Sequence, residues 1–390
     1  MSVKFTIKNN FQKRSVIKYR DILTSDILMD ICYKLTGQKQ FTVDFDNAGY
    51  NKGRLVKLEF KGKIYYVSIS ENKVESRNSF FQSFSTALIQ FHLEACPNKG
   101  LYFYFLKPDN KIETNYFVFM YRLMKTVGTV FLNETEYLSQ IYQPFNTVTD
   151  LIVNRDLNRQ RNAGNASTYV SVDEDSNLQI FGKTYGTNKY ESILLALAIK
   201  KISTNAITLY EIQDGSLKKL PLHGRNVIVN LGIDVITSDL ALEKREFDKN
   251  DSFRSPTYLY NLFEKFGEKE CAFCGCEIPQ IIQGAHIWAV ADIKRKNNIS
   301  QEEKLFHAIN KDNGIWLCNN HHRLFDINIL AVDGDGRIKY KNSIVPIYKK
   351  YLNKITFKNR IENQFLSDNF INYLSKRNHL LNLDDYNFIR

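Results

Sequence analysis

The sequence predicts an α+β fold in two parts: an N-terminal region of mixed helices and strands, and a C-terminal module built as strand, strand and helix around bound metal. Its length of 390 residues exceeds what one hydrophobic core usually holds, which favours two or three domains. Apolar residues recur at helical spacing in some stretches and alternate in others. The segment from Cys271 to Asp326 holds four cysteines and four histidines, a density that indicates metal binding.

The N-terminal region shows local patterns of both helix and strand. A helix is predicted over residues 21–35, where apolar positions recur near helical spacing until Gly37. The sequence then predicts a hairpin over 55–70 that turns at Lys61 and Gly62, a helix over 80–95 and a strand over 101–108. Residues 115–132 fit either a helix or a strand. This mixture predicts an α+β region.

A segment rich in arginine and asparagine, residues 154–165, is a candidate for contact with DNA. Arginine can donate two hydrogen bonds to guanine, and asparagine can pair in the same way with adenine, in the major groove. The alternative is a polar surface loop with no ligand. If the segment binds DNA, its candidate contacts are Arg155, Asn158, Arg159 and Arg161.

A glycine-containing stretch, residues 181–192, leads into an apolar run that predicts a helix. Lys183 and Lys189 flank the start of this helix, where backbone N–H groups can hold a phosphate. The stretch lacks the spacing of a nucleotide-binding loop. We therefore expect Lys183 and Lys189 to contact DNA phosphate.

The linker is predicted over residues 241–256, which are charged, poor in apolar residues and ended by Pro256. The domain boundary is therefore expected near residue 255. The predicted organisation is an α+β DNA-recognition region over 1–250, either one body or two lobes (1–150 and 151–250), followed by a module over 251–390.

The C-terminal module contains two pairs of candidate metal ligands. Cys271 and Cys274 form a CxxC pair, and Cys318 and His321 form a CxxH pair. Together they can close a tetrahedral site with three cysteines and one histidine, the ligand set of structural zinc. Cys276 can replace a neighbouring ligand, although the spacing favours Cys274.

The remaining polar residues of the module indicate a second metal and catalysis. His322 and Asp326 lie four residues apart, so on a helix they share one face and can bind one divalent ion. Asn313 and Gly314 predict a turn into a short strand that leads to this helix. Helices are also predicted over 257–267 and 365–381, the second capped by Ser367 or Asp368.

This arrangement resembles the HNH endonuclease superfamily, most closely its restriction-endonuclease branch, which carries AHI followed by NGIxLCxxHHxxFD. The resemblance covers roughly the last third of the chain. It implies a zinc-stabilised ββα-metal nuclease domain whose namesake residues are His286, Asn313 and His322. In the family the first histidine activates water, the asparagine holds the fold around it, and the last histidine binds a divalent ion with a downstream residue, here Asp326.

The sequence departs from the family pattern at two places. Many relatives carry an acidic residue or a histidine directly before the first namesake histidine as a further metal ligand, but this chain has Ala285. The divalent ion is therefore expected to have fewer protein ligands. The gap between His286 and Asn313 is also longer than usual, which predicts an inserted loop over residues 292–310 with a basic start.

The charge balance of the chain favours a polyanion as a partner. The net charge of +11 and the pI of about 9.1 favour nucleic acid as a partner, although a lysine-rich composition can also reflect genomic base bias. The scattered cysteines do not form a disulfide framework, so a cytoplasmic location is expected. The start of the chain lacks the pattern of a signal peptide, and no apolar run is long enough for a membrane span.

The resemblance implies a sequence-specific, type II-like restriction endonuclease that leaves 5′-phosphate and 3′-hydroxyl ends. Its expected cofactors are structural Zn²⁺ and catalytic Mg²⁺ or Mn²⁺. Its expected partners are double-stranded DNA, a second copy in a homodimer, and a methyltransferase that acts on the same site.

Two rival functions stay open. One is a defence nuclease that depends on base modification. The other is a zinc-stabilised DNA-binding protein without catalysis, which only Ala285 supports. The four other histidines are interpreted as ordinary surface or core residues: His92, His223, His307 and His379.

Overall fold

The computed structural model describes residues 2–8, 23–46, 55–70, 77–106, 115–157, 168–183, 188–212, 222–249, 253 and 255–389. The chain divides into two compact units. The N-terminal unit contains residues 1–168, 184–207 and 219–235, and the C-terminal unit contains residues 169–183, 208–218 and 236–390. The division therefore differs from the predicted boundary near residue 255, because residues 169–183, 208–218 and 236–254 also belong to the C-terminal unit.

A mixed six-stranded sheet, in the order β2-β1-β3-β4-β5-β6, forms the frame of the N-terminal unit. Its strands are β1 (Val3–Lys8), β2 (Phe41–Asp46), β3 (Leu55–Phe60), β4 (Lys63–Ser70), β5 (Lys99–Phe105) and β6 (Val130–Phe131). The pairs β1–β2, β4–β5 and β5–β6 are parallel, and β1–β3 and β3–β4 are antiparallel. Each parallel pair is connected through a helix, as the geometry of a parallel pair requires.

The described helices of this unit are α1 (Ser25–Thr36), α2 (Arg77–Leu93), α3 (Asn115–Thr126), α4 (Glu136–Ile141), α5 (Val148–Leu157), α6 (Asn188–Ile202) and α7 (Leu222–Asn230). The predicted first helix is confirmed over its described part. Thr24 caps its start, and Gly37 ends it with a left-handed φ of 71°. The predicted helix over 80–95 and strand over 101–108 correspond to α2 and β5.

The predicted hairpin over 55–70 is confirmed as β3 and β4. Lys61 and Gly62 have φ values of 48° and 73°, the two left-handed positions that a tight two-residue hairpin turn needs. Residues 115–132, which fitted either a helix or a strand, contain both. Helix α3 ends near Gly128 (φ 89°), and strand β6 follows. A hydrophobic core of strand and helix residues holds the sheet together, including Phe5, Ile31, Leu58 and Val67.

The C-terminal unit begins with a four-stranded sheet in the order β10-β9-β8-β7. Its strands are β7 (Tyr169–Val172), β8 (Leu178–Lys183), β9 (Ile207–Ile212) and β10 (Asp234–Ser238), of which the last two start just before the bounds of the unit. Helix α8 (Leu240–Lys249) follows. The prediction of a linker over 241–256 is therefore wrong in its first part: Phe247 is buried against Phe253 at 5.3 Å between ring centroids. This contact gives a highly charged segment one buried apolar side.

The part of the C-terminal unit that contains the predicted metal ligands follows. Its elements are α9 (Pro256–Phe266), β11 (Ile282–His286), α10 (Val290–Arg295), α11 (Gln301–Ile309), β12 (Gly314–Cys318), α12 (Asn319–Asp326), β13 (Leu330–Val332), β14 (Ile338–Lys341), α13 (Pro346–Ile355), α14 (Asp368–Asn378) and β15 (Tyr386–Phe388). The predicted order of strand, strand and helix is confirmed by β11, β12 and α12. The predicted helices over 257–267 and 365–381 are α9 and α14, and Ser367 caps the latter.

The segment predicted as an inserted loop, residues 292–310, contains most of α10 and all of α11, so the prediction of a loop is wrong. Ser300 accepts a hydrogen bond from the Glu303 N–H, and the Glu303 carboxylate accepts one from the Ser300 N–H. This capping box starts α11. Its S-x-x-E sequence is a known signal for the start of a helix and could have predicted α11. Among the described residues, no helix combines the length and apolar character needed to cross a bilayer.

Candidate active site and metal cluster

Two glycines let helix α9 pack directly on the strand pair that carries the site. Strands β11 and β12 are antiparallel, with Gly284 opposite Trp316 and His286 opposite Gly314. A Cβ atom on Gly314 would lie 2.1 Å from Tyr258 Oη, and one on Gly284 would lie 2.6 Å from a methyl group of Leu262. Such distances are far inside van der Waals contact, so both positions need glycine for the close approach of α9.

The side chain of His286, at the end of β11, is held by a hydrogen bond and a ring contact. Its Nε2 atom lies 2.9 Å from the carbonyl oxygen of Ala308 in α11. Because a carbonyl oxygen only accepts, Nε2 carries the proton and the lone pair of the neutral ring lies on Nδ1. Tyr258 of α9 stacks on the imidazole, with centroids 4.1 Å apart and an angle of 9°. This tautomer suits a base that acts through Nδ1.

Asn313 is fully buried and ties three segments together. Its amide oxygen accepts from the Trp288 N–H at 2.7 Å, and its amide nitrogen donates to the carbonyl oxygens of Trp288 (3.1 Å) and His307 (3.0 Å). The Asn313 carbonyl also accepts from the Ile287 N–H at 3.1 Å. Asn313 thus fixes the backbone that follows His286. Moving that backbone would leave the buried amide of Asn313 without hydrogen-bond partners, which costs free energy.

The neighbouring Asp312 anchors this turn from the other side. Its carboxylate accepts from Lys265 Nζ at 2.7 Å and from Ser367 Oγ at 2.8 Å. Burial lowers the pKa of Lys265 to about 8, whereas the hydrogen bonds to Asp312 outweigh burial and lower the pKa of that carboxyl group. The position of Asn313 therefore depends on helices α9 and α14 as well as on β12.

Helix α12 presents the predicted pair for a divalent ion. His322 Nε2 lies 3.5 Å from an oxygen of Asp326, one helical turn later, and the two side chains are 14% and 46% exposed. A nitrogen and a carboxylate oxygen at the solvent boundary are ligands that Mg²⁺ or Mn²⁺ accepts, with water filling the remaining positions. Ala285 has no ligand atom in its side chain and is fully buried in β11, so the position before His286 offers no further ligand.

The structure brings together the four predicted ligands of the structural metal. The Sγ atoms of Cys271, Cys274 and Cys318 and a ring nitrogen of His321 all lie within 4.8 Å of one another. The Cys274 and Cys318 sulfurs are 3.9 Å apart, close to the roughly 3.8 Å expected for two sulfurs bound to one tetrahedral zinc. Cys276 is not in this cluster, and its carbonyl accepts from the Cys271 N–H at 2.8 Å.

The chemistry of the cluster also fits a cation. A hydrogen bond between Cys318 and Cys271 lowers the pKa of the Cys271 thiol and raises the pKa of Cys318 to about 11. Deprotonating all three neighbouring thiols would place like negative charges close together. A bound metal cation compensates that charge and so favours the thiolates. His321 turns Nδ1 toward Cys318 (3.2 Å), and its Nε2 hydrogen-bonds Thr356 Oγ1 at 3.1 Å. Such a partner orients a metal-binding imidazole.

Arg377 of α14 is a structural link that the sequence patterns did not reveal. Its buried guanidinium donates to the Ile287 carbonyl at 3.2 Å, to the Phe325 carbonyl and to Asn328 Oδ1 at 2.7 Å. It thereby joins the backbone after His286 to the end of α12. Burial lowers its pKa to about 10. No local pattern identifies this role, since Arg377 resembles any last-turn cation of a helix.

The structure gives different outcomes for the individual DNA contacts predicted in the N-terminal half. Arg155 is 3% exposed and its guanidinium lies 2.7 Å from Glu191, so it belongs to an internal ion pair and the prediction that it contacts DNA is wrong. Lys183 ends β8 and Lys189 lies in the first turn of α6, and their contact with DNA stays a prediction. The remaining candidates lie outside the described residues: Asn158, Arg159 and Arg161.

Comparison with known proteins addresses the C-terminal segment. No curated protein matches the chain. Residues 271–333 match the family described as HNH endonuclease. The matched segment begins at the first cysteine of the metal cluster and includes His286, Asn313, His322 and Asp326. This segment of the C-terminal unit is therefore similar to HNH endonuclease domains.

Proposed function

We propose that this protein is a metal-dependent DNA endonuclease of restriction type, which hydrolyses phosphodiester bonds to 5′-phosphate and 3′-hydroxyl ends. The observation that carries the proposal is the combination of the His286 imidazole, held by the Ala308 carbonyl oxygen, with a nitrogen and carboxylate pair on α12. The match to HNH endonucleases supports the nuclease activity. Sequence specificity is our inference from the size of the chain outside the matched segment.

In the proposed reaction, His286 acts as the general base. The Ala308 carbonyl holds the proton on Nε2, so Nδ1 accepts a proton from the attacking water. Tyr258 and the backbone bonds of Asn313 keep the ring in place. His322 and Asp326 would hold Mg²⁺ or Mn²⁺, which supplies positive charge for the scissile phosphate and the leaving 3′ oxygen. Cys271, Cys274, Cys318 and His321 would hold Zn²⁺ in a structural role.

The rest of the chain is proposed to find the site on DNA. Lys183 and Lys189, together with Asn158, Arg159 and Arg161, remain candidate contacts for double-stranded DNA. A homodimer would match a symmetric site and cut both strands, because one active site cuts one strand. A methyltransferase that protects the same sequence would complete the system in a cytoplasmic setting.

Cleavage of plasmid DNA by three variants tests the active site. His286→Ala should lower the rate about 10²–10⁴-fold, as expected for the loss of a positioned base, while divalent-ion affinity stays unchanged. His322→Ala and Asp326→Ala should weaken binding of Mn²⁺ in calorimetry, and higher Mn²⁺ should partly restore cutting. His379→Ala is the matched control, since His379 is an exposed histidine of the same unit.

Wild-type cutting by His286→Ala, or full Mn²⁺ affinity in both α12 variants, would contradict this active site. Sequencing the ends of the digested plasmid tests the sequence specificity and the predicted 5′-phosphate. Parallel digestion of methylated and unmethylated plasmid separates plain sequence recognition from dependence on base modification.

A further inference from the structure

A second feature of the C-terminal unit, outside the residues of the proposed reaction, is a strongly cationic segment. Residues 337–360 contain no Asp or Glu and eight Lys or Arg residues, which amounts to eight of the eleven net positive charges of the chain. The segment includes β14, α13 and the stretch after α13. Such a concentration of charge of one sign is the electrostatic pattern of a surface that meets a polyanion.

Helix α13 contributes most of its side chains to the surface rather than to the core. In this helix only Leu352 is buried, whereas Ile347, Tyr348 and Tyr351 are 71%, 62% and 52% exposed. Phe357, just after the helix, is 80% exposed. Large exposed rings interleaved with lysines are unusual on a surface that only faces water. We call the exposed side chains of α13 the basic aromatic face: Ile347, Tyr348, Lys350, Tyr351 and Lys354.

The lysines of this helix carry uncompensated charge. Among the residues that the structure describes, Lys349, Lys350 and Lys354 form no ion pair, whereas Lys358 lies 2.5 Å from Glu270 and 3.9 Å from Glu362. Lys350 and Lys354 are exposed and one helical turn apart, so they project from the same side of α13. Their ammonium groups are therefore available to phosphates.

The far end of α13 is anchored to the metal cluster. Thr356, which ends the helix, hydrogen-bonds His321, and the Lys358 N–H donates to the Phe273 carbonyl at 3.0 Å. Phe273 lies between Cys271 and Cys274, so the cluster fixes the position of the helix. A ligand on the basic aromatic face would consequently be held at a set position within the domain that carries His286 and His322.

We propose that the basic aromatic face binds the sugar–phosphate backbone of DNA independently of sequence, with lysines on phosphates and tyrosines on phosphate, sugar or base. A second copy of the chain fits this face poorly, since a two-fold contact would set lysines against lysines. The inference rests on the proposed nuclease function for the identity of the polyanion. Phosphate contacts of this kind supply affinity and position, while base contacts supply specificity.

The test is the salt dependence of DNA binding, measured with full-length protein carrying His286→Ala so that the DNA stays intact. The probe is one duplex oligonucleotide of arbitrary sequence, with its single strand as a second arm. Lys350→Glu combined with Lys354→Glu should lower the slope of log affinity against log salt by about two for the duplex. Affinity near 0.1 M salt should fall by about 50-fold or more.

The matched control is Arg245→Glu combined with Lys249→Glu. These two residues are also exposed and one turn apart on α8 of the same unit, so the control makes the same change of charge on a helix. It should leave the slope and the affinity within about twofold of the parent protein. Lys350→Gln with Lys354→Gln, which reverses no charge, should give the same loss of slope if the first variant folds poorly.

An unchanged slope in both lysine variants would overturn the inference. So would a wild-type dimer that Tyr348→Ala with Tyr351→Ala converts to a monomer of unchanged DNA affinity, because the face would then join two copies. Loss of binding to anionic phospholipid vesicles with no change for DNA would also overturn it. Plasmid cleavage by the protein with His286 intact separates the two proposals. Cleavage together with an unchanged salt slope in the lysine variants would refute only the DNA-binding face. A reduced salt slope in a protein that does not cleave plasmid would refute only the nuclease function.

Discussion

Two neighbouring histidines on α12 have different environments because of helical geometry. Successive residues on a helix point about 100° apart. His321 is 1% exposed and faces the cysteines, whereas His322 lies beside Asp326 at the solvent boundary. One short helix can therefore support both the proposed structural metal and the proposed catalytic ion, and a substitution at either residue should affect one of them.

At this scale the sharpest prediction contrasts two cysteines two positions apart. Cys274→Ser should lower bound zinc well below about one ion per chain and reduce the melting temperature, since a metal that binds only the folded state adds its binding energy to folding. Cys276→Ser, the control, should keep zinc and stability because Cys276 contributes a backbone carbonyl and no ligand. Elemental analysis and thermal unfolding measure both. Equal zinc content in the two variants would refute the assignment.

The strand pair β11–β12 and helix α9 form the element-scale unit that positions His286. The ring of Tyr258 stacks on His286, and its hydroxyl group approaches the backbone of Gly314 on the opposite strand. The position of the proposed base is therefore coupled to the absence of a side chain at residue 314.

We predict that Gly314→Ala displaces Tyr258, destabilises the fold by about 1–3 kcal/mol and slows cleavage, because overfilling a packed contact forces neighbouring groups to move. Gly334→Ala is the control, since nothing lies within 4 Å of its added Cβ. Chemical denaturation and plasmid cleavage measure the two effects. A Gly314→Ala protein that cuts and unfolds like the Gly334→Ala protein would show that the coupling is absent.

At the scale of the whole molecule, the C-terminal unit does not begin where the charged segment suggested. Phe263 of α9 packs against Tyr169 of β7 and Phe181 of β8, with ring centroids 5.0 and 5.5 Å apart. Lys269 also contacts the Val172 carbonyl. The core of the C-terminal unit thus includes strands that precede residue 250 by many positions.

A fragment of residues 251–390 should accordingly melt well below the C-terminal unit of the intact chain and expose apolar surface to a hydrophobic dye. In the intact chain, Phe263→Ala should cost about 3–5 kcal/mol, the range for removing a large buried aromatic side chain. Thermal unfolding and limited proteolysis measure both. A fragment as stable as the intact unit would contradict the division of the chain described above.

The sequence by itself determined the features whose causes lie close together along the chain. Helix α1 has its cap and its terminating glycine within a few residues of each other, and the hairpin is set by Lys61 and Gly62. The four ligands of the metal cluster were predictable because the spacing within the CxxC and CxxH pairs is local. The i, i+4 spacing of His322 and Asp326 is local as well, whereas His286 and Asn313 were assigned from the resemblance to a known family. The order of β11, β12 and α12 followed from the same segment.

Only the tertiary structure decided the features that depend on distant partners. The Arg155 side chain is internal because Glu191, from another helix, neutralises it, and the charged helix α8 is held by the burial of Phe247. The tautomer of His286 depends on a carbonyl 22 residues away, and the role of Arg377 depends on backbone oxygens of two other segments. Hydrogen bonds and packing between distant residues leave no period or spacing in the sequence, so no local pattern records them.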